Sequence, residues 1–423
     1  MDQMATYVAT AAAGLLGLYI LTLLFGNLRQ QARMARHFEE QSAFFRARAE
    51  SLQKVRAEEF QKTQNTWSGF RKFEVAEKVP EIQDCHSIYL KPHDGRPLPP
   101  FEPGQFLTFK FKVPDQPNDV IRCYSLSDAP GRDYYRITVK KVPPPRGKPE
   151  IPPGVSSTFV NEILQQGDII DVRAPGGGFF LKREYMRPVV LIGGGVGITP
   201  VLSMLNYIVE HQPERETWFF FGAPNKAGHI MKEHLRKIAA ENPNVRMNIC
   251  YSDPTDEDVP GDDYDHHARV SVELFKQLLP SNNYEYYFCG PPPMMNALDA
   301  DLKAWGVPEA DIHYEAFGPA SVKKPKPAPA PAADGAPAAT IAVTFAKAGK
   351  TLDWSPAAGT ILDFAEANGV DIAAGCRAGS CGTCLTAVIE GEVGYEAPPD
   401  APIENGSCLV CVGRPKGPIK LDA

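Results

Sequence analysis

The chain has 423 residues, a net charge of −7 and 43% hydrophobic residues. That length exceeds one compact domain and predicts two to four units, each with enough apolar residues for a core. The acidic balance lacks the basic stripe of a dedicated nucleic-acid binder, so no nucleic-acid partner is expected.

The first element, residues 4–28, reads as a membrane anchor. Gln3 to Leu28 carry no charge, and Tyr7 to Phe25 are apolar apart from two Thr, close to the ~20 residues of a spanning helix. A signal peptide would place positive residues before the apolar run, whereas here Asp2 precedes it and Arg29, Arg33 and Arg36 follow. The positive-inside rule then predicts a single-pass protein of the cell (inner) membrane, with everything after residue 28 cytoplasmic. Residues 29–66 are rich in Ala, Glu, Gln, Arg and Lys and predict a helical stalk. Phe38, Phe45 and Leu52 recur every seven residues, but Gln41 and Arg48 break the partner seam of a coiled coil.

From residue 67 to 184 the pattern becomes short alternating runs split by Gly and Pro, such as Phe106–Phe111 and Tyr135–Lys140. Such runs predict an antiparallel β-barrel or sandwich. Residues 185–319 alternate apolar strands with helical stretches, which predicts an α/β domain with a parallel sheet. At its start an apolar strand from Val189 runs into Gly193, Gly194, Gly195 and Gly197, then Thr199 and an apolar helix. Glycines there let backbone approach a pyrophosphate, and the helix N-terminus offers free N–H groups to it. Residues 320–338, built from Pro, Ala and Lys, predict a semi-extended linker.

The last segment, residues 339–423, holds five of the nine cysteines: Cys376, Cys381, Cys384, Cys408 and Cys411. A tight group beside the scattered Cys85, Cys123, Cys250 and Cys289 predicts a metal or cluster site in a reducing compartment. Cys376, Cys381 and Cys384 have the C-x₄-C-x₂-C spacing of a [2Fe–2S] site with a distant fourth ligand, and thiolates are the soft ligands such a cluster takes. Gly379 and Gly382 let the loop close around it. A structural zinc site would more often show paired C-x₂-C arms.

The barrel-then-sheet order, the Arg122-Cys123-Tyr124-Ser125-Leu126-Ser127 run, the glycine cluster through Pro200 and the Cys289-Gly290-Pro291-Pro292 run together resemble the ferredoxin–NADP reductase superfamily. The ending His313-Tyr314-Glu315-Ala316-Phe317-Gly318-Pro319 is similar to that of the flavohaemoglobin reductase part. The resemblance implies a flavin site, FAD in preference to FMN. Arg122 would meet the flavin phosphate, Tyr124 pack on the isoalloxazine and Ser125 bond near its reactive nitrogen. Gly154, Ser156 and Ser157 would form a phosphate-binding helix start, and Val139 a further flavin contact. Gly193, Gly194, Gly195, Gly197 and Thr199 would cradle the nicotinamide nucleotide. Cys289 would stand near its nicotinamide and Phe317 cover the flavin. Ser125 and Cys289 are the catalytic candidates. Asp253 would repel a 2′-phosphate, which favours NADH, with Lys226 nearby as the opposing charge.

The C-terminal segment resembles plant-type ferredoxins with a β-grasp fold. Cys411-Val412-Gly413-Arg414-Pro415 looks like that family's fourth-ligand motif, which selects Cys411 with Cys376, Cys381 and Cys384 as metal ligands. Only 26 residues separate Cys384 from Cys411, fewer than usual, and this keeps Cys408 as an outside candidate. The assembled expectation is a membrane-anchored reductase moving electrons from NADH to FAD to [2Fe–2S] and on to a protein acceptor, such as an integral-membrane oxygenase or desaturase. A redox-sensing scaffold and a direct NADH:quinone reductase are the alternatives.

Overall fold

The computed structural model describes residues 14, 17, 64–145, 147–317, 340–396, 398–399, 401 and 403–423. The chain divides into two units, Met1–Gln64 and Asn65–Ala423. The expected linker 320–338, nearly all of the expected anchor 4–28 and most of the expected stalk 29–66 lie outside the described residues.

One expectation is corrected. No helix among the described residues is long and apolar enough to cross a membrane. The longest described helix has 14 residues, against the ~20 a bilayer requires. The spanning helix and the inner-membrane location are therefore withdrawn.

Strands β1 Arg71–Ile82, β2 Cys85–Pro92, β3 Phe106–Phe111, β4 Val120–Ser125, β5 Tyr135–Lys140 and β6 Ile169–Val172 form one antiparallel sheet in the order β4-β3-β6-β1-β2-β5. Its two edges meet. Leu126, just past β4, bridges Ile137 of β5, and Ser127 N–H donates to the Arg136 carbonyl at 2.8 Å. The sheet thus curls closed, and no long edge is left open on that side. Alternate residues fill the interior: Phe73 and Val75, Ile88 and Leu90, Leu107, Phe109 and Phe111, Ile137 and Val139. This is the period-two pattern of a strand with one face in the core.

The second sheet has the order β10-β9-β8-β7-β11-β12, from β7 Val189–Gly194, β8 Thr217–Ala223, β9 Val245–Tyr251, β10 His266–His267, β11 Glu285–Cys289 and β12 Ile312–Glu315. Every pair is parallel. β7 and β11 are buried along their whole length, as expected of strands covered on both faces. One face packs against the helix Ile198–His211, the other against Val272–Leu278 and Pro292–Ala304. Strand order reverses between β7 and β11, and open α/β sheets bind ligands at that switch point, outside the carboxyl ends of the strands.

The C-terminal sheet runs β14-β13-β19-β15-β17, from β13 Ile341–Phe345, β14 Lys350–Trp354, β15 Leu385–Glu390, β17 Ser407–Leu409 and β19 Ile419–Leu421, with β16 Val393–Tyr395 and β18 Gly413–Pro415 as a separate pair. The helix Ile361–Ala367 starts at a capping box of Thr360 and Asp363, which satisfies two of its free N–H groups. Its Ile361, Leu362, Phe364 and Ala365 share one core with Val343, Phe345, Leu421 and the thiols of Cys384, Cys408 and Cys411. The cysteine loop is thereby pinned to a packed sheet.

Candidate functional site

Strand β4 carries the first group of residues. Arg122 is exposed. It donates to the Ile121 carbonyl at 2.7 Å, and among the described residues no carboxylate forms an ion pair with it, so its charge is available to an anion. Tyr124 lies 5.7 Å from the Phe109 ring and 6.4 Å from Phe111. Its hydroxyl meets Ser156 Oγ at 2.8 Å, and burial pushes the phenol up from its ordinary range. Tyr124 therefore forms part of the barrel wall and ties β4 to the helix Val155–Thr158. Gly154 precedes that helix with no side-chain cap. A Cβ there would lie 2.8 Å from Ser157 Oγ. The Ser157 hydroxyl donates to the Gly154 carbonyl at 2.9 Å and accepts from Val142 N–H at 3.0 Å. Both serine hydroxyls are thus engaged within the protein, and the anion-seeking groups are Arg122 and backbone N–H. The Val139 side chain is spent on the barrel core.

The glycine run forms the second group. A Cβ on Gly193 would lie 2.8 Å from Ile198 Cα, one on Gly194 2.8 Å from Met294 Sδ, and one on Gly197 2.4 Å from the Cys289 carbonyl oxygen. Gly193 lets the strand pack close under the helix start, and Gly194 and Gly197 let the β7 and β11 loops touch. Gly195 differs, with φ of +53° and nothing within 4 Å of its missing Cβ, so it borders open space. The helix Ile198–His211 begins beside it with no side-chain cap. A close backbone turn, free N–H groups and room above them fit a pyrophosphate. Thr199 Oγ1 donates to the Val196 carbonyl at 3.1 Å and braces the turn.

Sheet register aligns the reactive candidates. Cys289 of β11 is paired with Gly193 of β7 on one side and Glu315 of β12 on the other. Ser125 Oγ, at the end of β4, donates to Glu315 Oε2 at 3.3 Å. Cys289 is fully buried, and burial first, then Glu315, pushes its thiol far up. It is a neutral thiol packed at the site, not a thiolate nucleophile. Phe317 follows two residues after Glu315 and is 42% exposed.

Asp253 is exposed just past β9, its N–H donating to the Pro224 carbonyl at 2.9 Å. Lys226, the opposing charge, stands 3.2 Å from Asp263 Oδ1. Lys232 pairs with the same carboxylate, and its hydrogen bond leads the causes that hold Asp263 well below the usual carboxylate range.

The cysteine loop forms the third group. Cys376 Sγ accepts from the N–H groups of Ala378 at 3.4 Å and of Ser380 and Cys381 at 3.3 Å. Cys381 Sγ accepts from Cys376 N–H at 3.3 Å and meets Thr383 Oγ1 at 3.2 Å. Arg377, Gly379 and Gly382 have φ of +56°, +76° and +68°, which turns the loop tightly enough to aim those N–H groups. Cys376 and Cys381 each accept from the other's N–H at 3.3 Å, and the free thiols of Cys384 and Cys411 lie together in the domain core. No group of three or more His, Cys, Asp or Glu among the described residues is close enough to hold one metal ion; the four thiols stand as two pairs. Two thiolates per iron with amide donors to sulfur are what a two-iron cluster takes. Cys408 points elsewhere, on β17 opposite Thr386, where burial first pushes its thiol up to about 12.

The flavin strand and the cysteine loop also meet. Cys123 Sγ of β4 and Cys381 Sγ both pack against Gly375, 3.4 and 3.0 Å from where its Cβ would stand. Arg173 Nη1, just past β6, donates to the Cys381 carbonyl at 3.3 Å. Asn118 Nδ2 donates to Asp371 Oδ2 at 2.9 Å at the edge of the same contact. Cys123, Arg173 and Glu315 were absent from the candidates read from sequence. Cys123 and Glu315 lie inside motifs that drew attention to their neighbours, whereas Arg173 carries no local signal.

Residues 191–300 match the oxidoreductase NAD-binding domain family, and residues 344–416 the 2Fe-2S iron-sulfur cluster binding domain family. A flavohemoprotein of Halalkalibacterium halodurans is 39% identical over 273 residues, 64% of this chain and 65% of that protein. The chain thus spans less than two thirds of that relative's length. The flavohem-like FAD/NAD binding domain of a nitric oxide dioxygenase from Vibrio cholerae O1 biovar El Tor is 31% identical, with a TM-score of 0.52, covering 59% of this chain and all of that one. Phthalate dioxygenase reductase, described as a modular structure for electron transfer from pyridine nucleotides to [2Fe-2S], is 25% identical, with a TM-score of 0.50, over 84% of this chain and 98% of that one. FAD, NAD(H) and a [2Fe–2S] cluster are the cofactors these domains bind.

Proposed function

We propose an electron path for this chain, which belongs to the NAD(P)H-dependent flavin and iron–sulfur oxidoreductases: from NADH to FAD, to the [2Fe–2S] cluster, and on to a protein acceptor such as an oxygenase or desaturase component. The chemistry is supplied by the cofactors, since a flavin takes two electrons as hydride and releases them singly to a one-electron centre. The protein's residues position these groups and tune them.

One observation carries the reading. Strand β4 touches both neighbours: Ser125 donates to Glu315 at the nicotinamide crevice, and Cys123 Sγ lies with Cys381 Sγ of the cysteine loop against the same glycine, Gly375. A single short strand that offers Arg122 to a flavin phosphate therefore lies between the donor and acceptor sites. Arg122 and the helix start after Gly154 bind the FAD phosphates, Gly193 to Thr199 hold the NADH pyrophosphate, and Phe317 lies over the flavin. Cys376, Cys381, Cys384 and Cys411 hold the cluster. NADH is preferred because Asp253 is exposed beside the expected ribose position, while Lys226 is already paired with Asp263.

The test is an anaerobic NADH titration of the cofactor-loaded protein followed by low-temperature EPR. The reading expects a bleached flavin together with a reduced [2Fe–2S] signal. A bleached flavin with no such signal, in protein whose cluster dithionite does reduce, would sink the path through the cluster.

A further inference from the structure

Two residues of the flavin barrel reach one cysteine of the cluster loop. A Cβ on Gly375 would lie 3.0 Å from Cys381 Sγ and 3.4 Å from Cys123 Sγ, so both sulfurs crowd the same glycine. Arg173 approaches Cys381 from its carbonyl side, at 3.3 Å. Its guanidinium lies 4.9 Å over the Phe70 ring, which fixes its plane. Its Nε is buried with no hydrogen-bond partner, and among the described residues no carboxylate forms an ion pair with it. A half-buried, unneutralised cation acts over a short distance with little screening. An electron entering the cluster adds one negative charge at the sulfurs of Cys381 and its fellow ligands, and net charge is one of the levers that set such potentials.

We propose that Arg173 is a positioning and tuning residue for electron transfer between the two cofactor sites. Through the Cys381 carbonyl it docks the cysteine loop on the flavin barrel, and its charge raises the cluster's affinity for the electron that the flavin gives up. The proposal rests on the electron path above. One electron leaves the flavin and one enters the cluster. Asn118 donates to Asp371 at 2.9 Å at the edge of the same docked face, and replacing Asn118 removes that bond without changing the charge there.

The experiment uses the full chain with FAD and cluster in place. The cluster midpoint potential is measured by EPR at a series of dithionite-poised potentials, and amide hydrogen exchange is followed across residues 376–384. Arg173→Gln should weaken the cluster's affinity for an electron roughly tenfold, ~59 mV for a one-electron couple, and speed exchange at Cys381 to Cys384. Arg173→Lys should restore the potential, since the charge is kept, but not the exchange protection, since the planar reach is lost. Asn118→Ala should speed exchange and leave the potential unchanged. A native potential or native exchange in Arg173→Gln overturns the proposal. A parent protein that gives no [2Fe–2S] signal even with dithionite overturns the electron path instead, and the proposal with it.

Discussion

Ser125 of the barrel donates a hydrogen bond to Glu315 of the nucleotide sheet at 3.3 Å, across 190 residues of chain. Glu315 is in turn the register partner of Cys289. A hydroxyl from β4 and a carboxylate from the last strand of the sheet thus meet where the proposed path has the hydride cross. Burial at such a point strengthens their bond relative to water.

The first prediction concerns this pair. Glu315→Gln and Ser125→Ala should each slow flavin reduction by NADH about tenfold to a hundredfold, the range set by ~1.5–3 kcal/mol for a hydrogen bond to a charged group. The double variant should be no slower than the worse single one, because the two groups act as a unit. Stopped-flow flavin bleaching measures it, and additive losses would show that the contact is incidental.

Nucleotide preference follows from Asp253. Asp253→Arg should raise kcat/KM for NADPH about tenfold and lower that for NADH, since an arginine suits a 2′-phosphate and the carboxylate repels it. Asp263→Asn should act in the same direction more weakly, by releasing Lys226 from its present partner. Steady-state ferricyanide reduction with each nucleotide reads both, and an unchanged ratio would place the ribose elsewhere.

The two C-terminal cysteines separate cleanly. The free thiol of Cys411 lies beside that of Cys384, whereas Cys408 faces the domain core on β17. Cys411→Ser should abolish or severely destabilise the cluster. Cys408→Ala should retain it, with a modest stability loss of about 1 kcal/mol from the lost sulfur packing. Iron content and the visible spectrum after purification decide between them, and the reverse result would reassign the fourth ligand.

His229 is one source of pH-dependent stability. Its Nδ1 meets the Tyr251 hydroxyl at 2.8 Å, its Nε2 is buried without a partner, and burial first, then Lys232, lowers its pKa to about 4. The unfolded chain takes up a proton near pH 6.5, and the folded protein does not until about pH 4. Stability from this group is therefore full above pH 6.5, falls as the pH drops through that window, and levels off below it. The loss is roughly 3 kcal/mol at 1.36 kcal/mol per tenfold change. Urea unfolding of the parent and of His229→Gln at pH 7 and pH 5 should show a smaller drop in the variant; equal drops would mean that His229 titrates normally.

Much of the site was legible because its chemistry is written at short range. The C-x₄-C-x₂-C run and its glycines lie within nine residues, so local spacing alone predicts thiols in one tight loop with amides aimed at sulfur. The glycine cluster between an apolar strand and an apolar helix is equally local. The domain order was legible too, because hydrophobic periodicity changes from two to the helical period as the chain passes from barrel to sheet. Asp253 and Phe317 are both exposed, each two residues past a strand end.

Other features depended on where distant segments meet. Nothing near Arg173 marks it, and its partner Cys381 is 208 residues away. The role of Glu315 emerges only when β12 pairs with β11 and β4 arrives beside both. Val139 reads like any alternating strand residue, and only closure of the barrel puts its side chain in the core. The apolar N-terminal run shows the limit of composition, because an apolar stretch states a preference for burial without naming what buries it. By itself the sequence determined which cofactors this chain is built for, since their ligands are local patterns. Only the tertiary structure decided that a single six-residue strand touches both the nicotinamide crevice and the cysteine loop, because that contact is made by packing between segments hundreds of residues apart.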